Sequence, residues 1–133
     1  MLQAMNTGHD GSLTTVHANT PRDALKRLEI MVLMAGIELP LRAIREQISS
    51  AINIIVQTLR YRDGSRKIAE ISQVTGIEGE VLTLSPIFKF KETGFDAETA
   101  KIKGEFVSTG NVPTFIEEIK AKGFNLDMKI FSN

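Results

Sequence analysis

Both histidines of this chain, His9 and His17, fall within TGHDGSLTTVHAN (Thr7 to Asn19), among glycines and hydroxyl-bearing side chains. Three chemistries fit these residue types. His9, Asp10 and His17 are a conceivable set of metal ligands, but their spacing matches no compact zinc pattern, and Gly11 leaves their relative geometry open. His17 is a conceivable base for a nearby hydroxyl, since Thr15 shares its face if the segment is a strand. No G-x-S-x-G elbow accompanies it, however. The third chemistry is contact with a phosphate. Gly8 and Gly11 permit close backbone approach, Thr7, Ser12, Thr14 and Thr15 carry hydroxyl donors, and an imidazole donates without a fixed charge. Against all three stands a plainer alternative, in which His17 is a hydrogen-bonded histidine at the end of a strand and His9 an exposed turn residue.

What the rest of the chain lacks narrows the choice. It contains no G-x-x-x-x-G-K-[ST], so no P-loop lies within these 133 residues, and neither GIEGE nor RDGSRK supplies one. There is no cysteine, which excludes a disulfide scaffold and thiolate chemistry. Sixteen basic side chains balance sixteen acidic ones. With no basic arm, the charge pattern implies no nucleic-acid partner. The longest apolar run, IMVLMAGI, is far short of the roughly 20 residues a spanning helix needs. The first residues show no basic region followed by an apolar run, the pattern of an export signal.

The elements that must carry the histidine segment follow from periodicity. Leu2 and Met5 are spaced as on one helical face without a cap before them, which fits equally the last turn of a helix that starts upstream and a frayed native N-terminus. Ser12 to Ala18 is β-branched and partly alternating, which predicts a strand. Thr20 is placed to cap a helix, with Pro21 at its first position and Asp23 where a capping box has its acid. Leu25, Leu28, Val32 and Ala35 form the buried stripe, and Gly36 ends the helix. A second helix begins at Pro40, with Leu41, Ile44, Ile48 and Ala51 on its apolar face and Arg42 and Arg45 on another. Asn53 to Arg62 reads as a strand whose run Ile54, Ile55, Val56 suits a central position buried on both faces. Asp63-Gly64 marks a hairpin. A return strand ends at a turn from Gly76 to Gly79, and one or two strands follow, broken near Pro86. Gly94 to Lys103 reads as a loop or second hairpin, GEFVSTG as a short strand. VPTFIEEIKAKG is a final helix stopped by Gly123, and a tail follows. The pattern is α/β in front, an antiparallel β-meander behind and a C-terminal helix, with no linker dividing it.

LQAMNTGHDGSLTTVHANTPRDALKRLE resembles the C-terminal part of the motor domain of type II/type IV secretion ATPases, with TGHDGSLTTVHAN in the place of that family's histidine box. LPLRAIREQISSAINIIVQ is similar to the helix and strand that follow it, and RDGSRKIAEISQVTGIEGE and IFKF to the terminal meander. GEFVSTGNVPTFIEEIKAKG resembles an extension typical of the tight-adherence (Flp-type) pilus branch. The resemblance implies a RecA-like P-loop NTPase whose P-loop, acidic box and Walker B acid lie upstream. Residues 1–133 are then a single fragment, with 1–91 the remainder of the motor domain and 92–133 the extension.

On the same resemblance His17 sits near the γ-phosphate, and His9 helps to shape the turn. Thr7, Gly8, Gly11, Thr15, Asn19 and Arg27 are candidates for binding or sensing nucleotide. Arg22, Arg42 and Arg45, together with Arg27, are candidates for phosphate or intersubunit contacts, and a solvated helix face is the plainer reading of each of them. ATP and Mg2+ would act in the full-length parent; the fragment is expected to bind neither tightly and to be inactive, with no resident metal. The implied setting is a cytoplasmic hexameric ring at the face of the inner membrane, working with a membrane platform protein. A fragment cut this way is expected to expose a strand edge or apolar patch and to self-associate. The alternative of another class is a free-standing interaction module without catalysis.

Overall fold

A computed structural model of the protein describes residues 11–132. Leu2, Met5, Thr7, Gly8, His9 and Asp10, on which several expectations rest, lie outside the described residues. The described elements are helix α1 (Pro21–Met34), helix α2 (Leu41–Ala51), strands β1 (Ile54–Arg60), β2 (Arg66–Glu78), β3 (Val81–Asp96) and β4 (Lys101–Ser108), helix α3 (Ile116–Ala121) and a 3-10 turn at Met128–Phe131. The strands form one sheet in the order β1-β2-β3-β4. Their connections are too short for parallel crossovers, so the sheet is an antiparallel meander. The fold is thus mixed α/β, and its chain clusters into two compact units. One comprises Met1–Ile55 with Val74–Leu84, the other Val56–Gln73 with Ser85–Asn133.

The first unit is built on the two helices. Thr20 caps α1, its hydroxyl accepting the Asp23 N–H at 3.0 Å, and Pro21 occupies the first turn. Gly36 follows the helix at φ +78°, a conformation that favours glycine. Leu25, Ile44, Ile48, Val74 and Leu82 make the core, with Leu28, Val32 and Leu39 packed against it. Ile44 and Ile48 have no solvent exposure. Burial of each such side chain stabilises the fold by about 1.5–3 kcal/mol. Polar side chains add fixed points. Arg22 Nη1 donates to the Leu82 carbonyl at 3.0 Å, Arg42 Nη1 to the Gly79 carbonyl at 2.9 Å, and Arg45 Nε to Glu29 Oε1 at 2.9 Å. The C-terminal half of α1 is different. Ile30, Met31, Leu33 and Met34 are all exposed.

The second unit is held by aromatic and apolar contacts. Ile87, Ile116 and Phe131 form its core, with Phe88, Ile119, Leu126 and Met128 against it. The Phe88 ring stacks on both Phe106 and Phe131, with centroids 5.7 and 5.8 Å away. The tail is therefore packed. At the β1–β2 hairpin, Asp63 Oδ2 accepts the Ile102 N–H at 2.8 Å, and Oδ1 accepts the Ser65 N–H at 2.8 Å and its hydroxyl. The Ile102 bond first, then the two from Ser65, hold the Asp63 carboxyl well below the usual carboxylate range. A carboxyl lowered on folding contributes stability that is present above its unfolded pKa and lost as pH falls. Between about pH 4 and pH 2 the melting temperature is expected to fall less steeply in Asp63→Asn than in the native chain. Thermal melts across that range measure this, and equal slopes would remove Asp63 from the acid response.

Four expectations need correction. Ser12–Ala18 has no regular secondary structure, because no described strand lies beside it to complete a ladder. β1 is at one edge of the sheet rather than central: Ile55 packs on the first core while Ile54 and Val56 stay exposed. β3 is unbroken through Pro86, whose fixed φ suits an extended backbone. The Pro86 carbonyl accepts from Thr109 Oγ1 at 2.6 Å and Asn111 Nδ2 at 2.8 Å. The second turn is confined to Gly79 and Glu80, and Gly76 lies inside β2. Gly94 to Lys103 is a hairpin whose tip is tied by Asp96 Oδ1 to the Glu98 N–H at 3.0 Å.

Candidate functional site

Residues 11–19 run without secondary structure into the Thr20 cap, so the position of the histidine segment is set by what grips it from outside. Long side chains on a helix lean toward its N-terminus. Arg27, two turns into α1, does this, and its Nη1 donates to the His17 carbonyl at 2.9 Å. The backbone at His17 is thereby held to the helix while the residue stays exposed. Among the described residues no hydrogen-bond partner engages the imidazole, and the segment that carries it is not a strand. An exposed imidazole on a fixed backbone can present an N–H, or a lone pair, to a ligand arriving from solvent.

Just before His17, Thr14, Thr15 and Val16 line a cavity of about 500 Å³ with Leu28, Met31 and Val32 of α1 and with Ile37 and Leu39 beyond it. Thr15 therefore borders apolar surface, where its hydroxyl has no described partner. Asn19 is exposed between His17 and the cap. Gly11 has φ +86° and open space where a Cβ would project. The structure brings His17 and Arg27 together, and sets Gly11, Thr15 and Asn19 along the same segment without mutual bonds. Thr7, Gly8 and His9 lie outside the described residues. Among the described residues no three of histidine, cysteine, aspartate and glutamate stand close enough to share a metal ion.

The other candidate arginines, Arg22, Arg42 and Arg45, are engaged within the first unit. Arg22 and Arg42 hold carbonyls, and Arg42 also pairs with Glu46 at 3.3 Å. Arg45 pairs with Glu29 where both side chains are largely buried. Sequence reasoning passed over Glu29. Its signal was an acid set between Leu28 and Ile30 at the start of an apolar run, since a glutamate seldom goes under unless it is paired.

The family model described as Type II/IV secretion system protein matches residues 1–103. The chain belongs to that family. The match includes the histidine segment, both long helices and the sheet as far as the first residues of β4. Among curated relatives, a Mycobacterium tuberculosis H37Rv protein named for conjugal transfer is 36% identical over 81 residues, 61% of this chain and 22% of the relative. The conjugal transfer protein TrbB of Rhizobium radiobacter is 38% identical over 76 residues, 57% of this chain and 22% of its own length. The type IV secretion system protein VirB11 of Bartonella quintana is 39% identical over 72 residues, 53% of this chain and 20% of its own. The chain thus spans about a fifth of the length of these relatives. Among the described residues no helix of this secretion-family chain is long and apolar enough to cross a membrane, which says nothing of β-barrels.

Proposed function

We propose that this chain is the C-terminal part of a RecA-like ATPase motor that drives secretion, conjugal transfer or pilus assembly, and that its histidine segment faces the γ-phosphate of ATP. One observation carries the reading: in a chain of this family, the segment in the place of the histidine box holds His17 exposed, on a backbone pinned to α1 by Arg27. Charge develops on phosphoryl oxygens during transfer, and a donor fixed in advance stabilises it without reorganisation cost. The residues present fit one end of ATP only. The box offers donors to a terminal phosphate, while the sequence holds no P-loop to cradle the β-phosphate and orient Mg2+. Bound ATP and Mg2+ supply the phosphoryl-transfer chemistry; this chain orients and senses.

In this reading the parent is a cytoplasmic hexameric ring at the inner-membrane face, working with a platform protein. Residues 1–91 complete its motor domain, and 92–133 are the extension that the tight-adherence branch carries. The purified 133 residues are expected to show no magnesium-dependent ATP hydrolysis, whereas the same residues within a P-loop-bearing parent turn ATP over. A coupled phosphate-release assay on both proteins tests this, and turnover by the short chain would sink it.

The exposed Ile30, Met31, Leu33 and Met34 on α1 support a further expectation. Ile30 to Met34, the last turn of α1, is apolar all round, and such a turn has apolar surface left over beyond the side that meets the core. The isolated chain is expected to self-associate through this face. Sedimentation equilibrium at rising concentration measures it, and a strictly monomeric species at high concentration would contradict it.

A further inference from the structure

We propose that Arg27 is a positioning residue, which fixes where the His17 imidazole stands by holding the His17 carbonyl against α1. The inference rests on the nucleotide reading of the histidine segment and gives Arg27 a task other than touching the nucleotide. Three observations carry it. The segment from Gly11 to Asn19 has no secondary structure of its own, so no helix or strand ladder fixes His17. Arg27 Nη1 lies 2.9 Å from the His17 carbonyl oxygen, reaching back over ten residues of chain. The helix that bears Arg27 is itself anchored in the same unit at two other points. Arg22 Nη1 is bonded to the Leu82 carbonyl at 3.0 Å, and Glu29 is paired with Arg45 at 2.9 Å. Leu25, one turn before Glu29, is in the core. A tether to α1 is therefore a tether to the rigid part of the unit.

The chemistry follows from geometry. A donor that stabilises developing charge must stand within a few tenths of an ångström of its place before the reaction begins. With the carbonyl gripped, the imidazole keeps only its own side-chain rotations, a far smaller set of positions than a free coil allows. Without the grip, the imidazole remains present but spends its time elsewhere. Losing Arg27 should then lower the catalytic rate and leave nucleotide affinity in place. A guanidinium in contact with the phosphates would give the reverse, a raised KM.

Two variants separate these outcomes. Arg27→Gln is too short to reach the carbonyl, and Arg27→Lys keeps a donor of nearly the same reach. In the full-length ATPase, Arg27→Gln is expected to lower kcat at least tenfold with KM for ATP within twofold, and Arg27→Lys to recover more than half of the lost rate. In the 133-residue chain, 15N relaxation is expected to show the His17 amide losing order in Arg27→Gln, to an order parameter below about 0.6, while Ile44 and Ile48 keep theirs. A raised KM with kcat unchanged would overturn the proposal, and so would an unaltered His17 order parameter. Failure of the nucleotide reading looks different: the wild-type parent hydrolyses no ATP, while the relaxation experiment still decides whether Arg27 holds His17.

Discussion

His17→Ala in the full-length ATPase is expected to lower kcat by about 10²–10³-fold, the usual consequence of removing one preorganised donor from a developing oxyanion. The chain itself should keep its stability. His17 is exposed, it belongs to no helix or strand, and its backbone carbonyl, which Arg27 grips, survives the substitution. Truncating an exposed side chain with no buried partner changes folding free energy by less than about 0.5 kcal/mol. The two effects are separable in one preparation, by phosphate release for turnover and urea unfolding for stability. His17→Gln refines the test, because an amide N–H can replace an imidazole N–H as donor but cannot take up a proton. If Gln restores most of the rate, His17 acts as a hydrogen-bond donor; if it restores none, proton transfer or imidazole shape is required. A His17→Ala parent with native turnover would remove the residue from the site and leave the segment a connector.

The sequence made some of this architecture readable and hid the rest for identifiable reasons. Both long helices were legible because each start and stop is local chemistry. Thr20, Pro21 and Gly36 act within a few residues of themselves, and the stripe from Leu25 to Val32 repeats at the helical period. The Asp63-Gly64 hairpin was legible for the same reason. β1 was misplaced because a run of apolar residues reports burial only if something covers it, and what covers a strand is decided far along the chain. Ser12–Ala18 has the composition of a strand, but a strand is a pairing, and no pairing partner lies beside it among the described residues. Pro86 looked like a break because proline lacks a donor, yet its carbonyl still takes bonds from Thr109 and Asn111.

The candidate site divides in the same way. The histidine segment stood out by residue type alone. The grip of Arg27 on a carbonyl did not, since every residue has a carbonyl and sequence marks none of them. The same holds for Arg22 on Leu82 and Arg42 on Gly79, which turn two apparent phosphate candidates into ties between elements. Glu29 and Arg45 lie in different helices, and only the packing of those helices makes them a pair.

Gly104→Ala is expected to destabilise the chain by about 3 kcal/mol, the upper end of what overpacking costs. Gly104 lies in β4 opposite Glu92 of β3, beside the Phe90–Phe106 pair. The Phe90 ring fills the space a side chain would take. A Cβ at position 104 would stand 2.3 Å from Phe90 Cζ and 2.6 Å from the Lys91 carbonyl oxygen. Neither neighbour can yield cheaply. The carbonyl belongs to the β3 backbone, which the ladder fixes. The ring is held at its other side, edge-on to Tyr61 with centroids 5.3 Å apart and beneath the Lys67 ammonium at 5.7 Å. Moving it gives up an aromatic pair and a cation–π contact, each contributing about 0.5–1.5 kcal/mol. Gly94 supplies the control. It lies in β3 with nothing within 4 Å of its would-be Cβ, so Gly94→Ala should change stability by no more than about 0.5 kcal/mol. Urea midpoints at constant m-value measure both. Phe90→Ala opens the space, so the double variant Phe90→Ala/Gly104→Ala should lose less than the sum of the two single changes. Strict additivity would mean that the ring does not occupy the glycine's place, and a neutral Gly104→Ala would mean that β4 can shift away from β3 at this point.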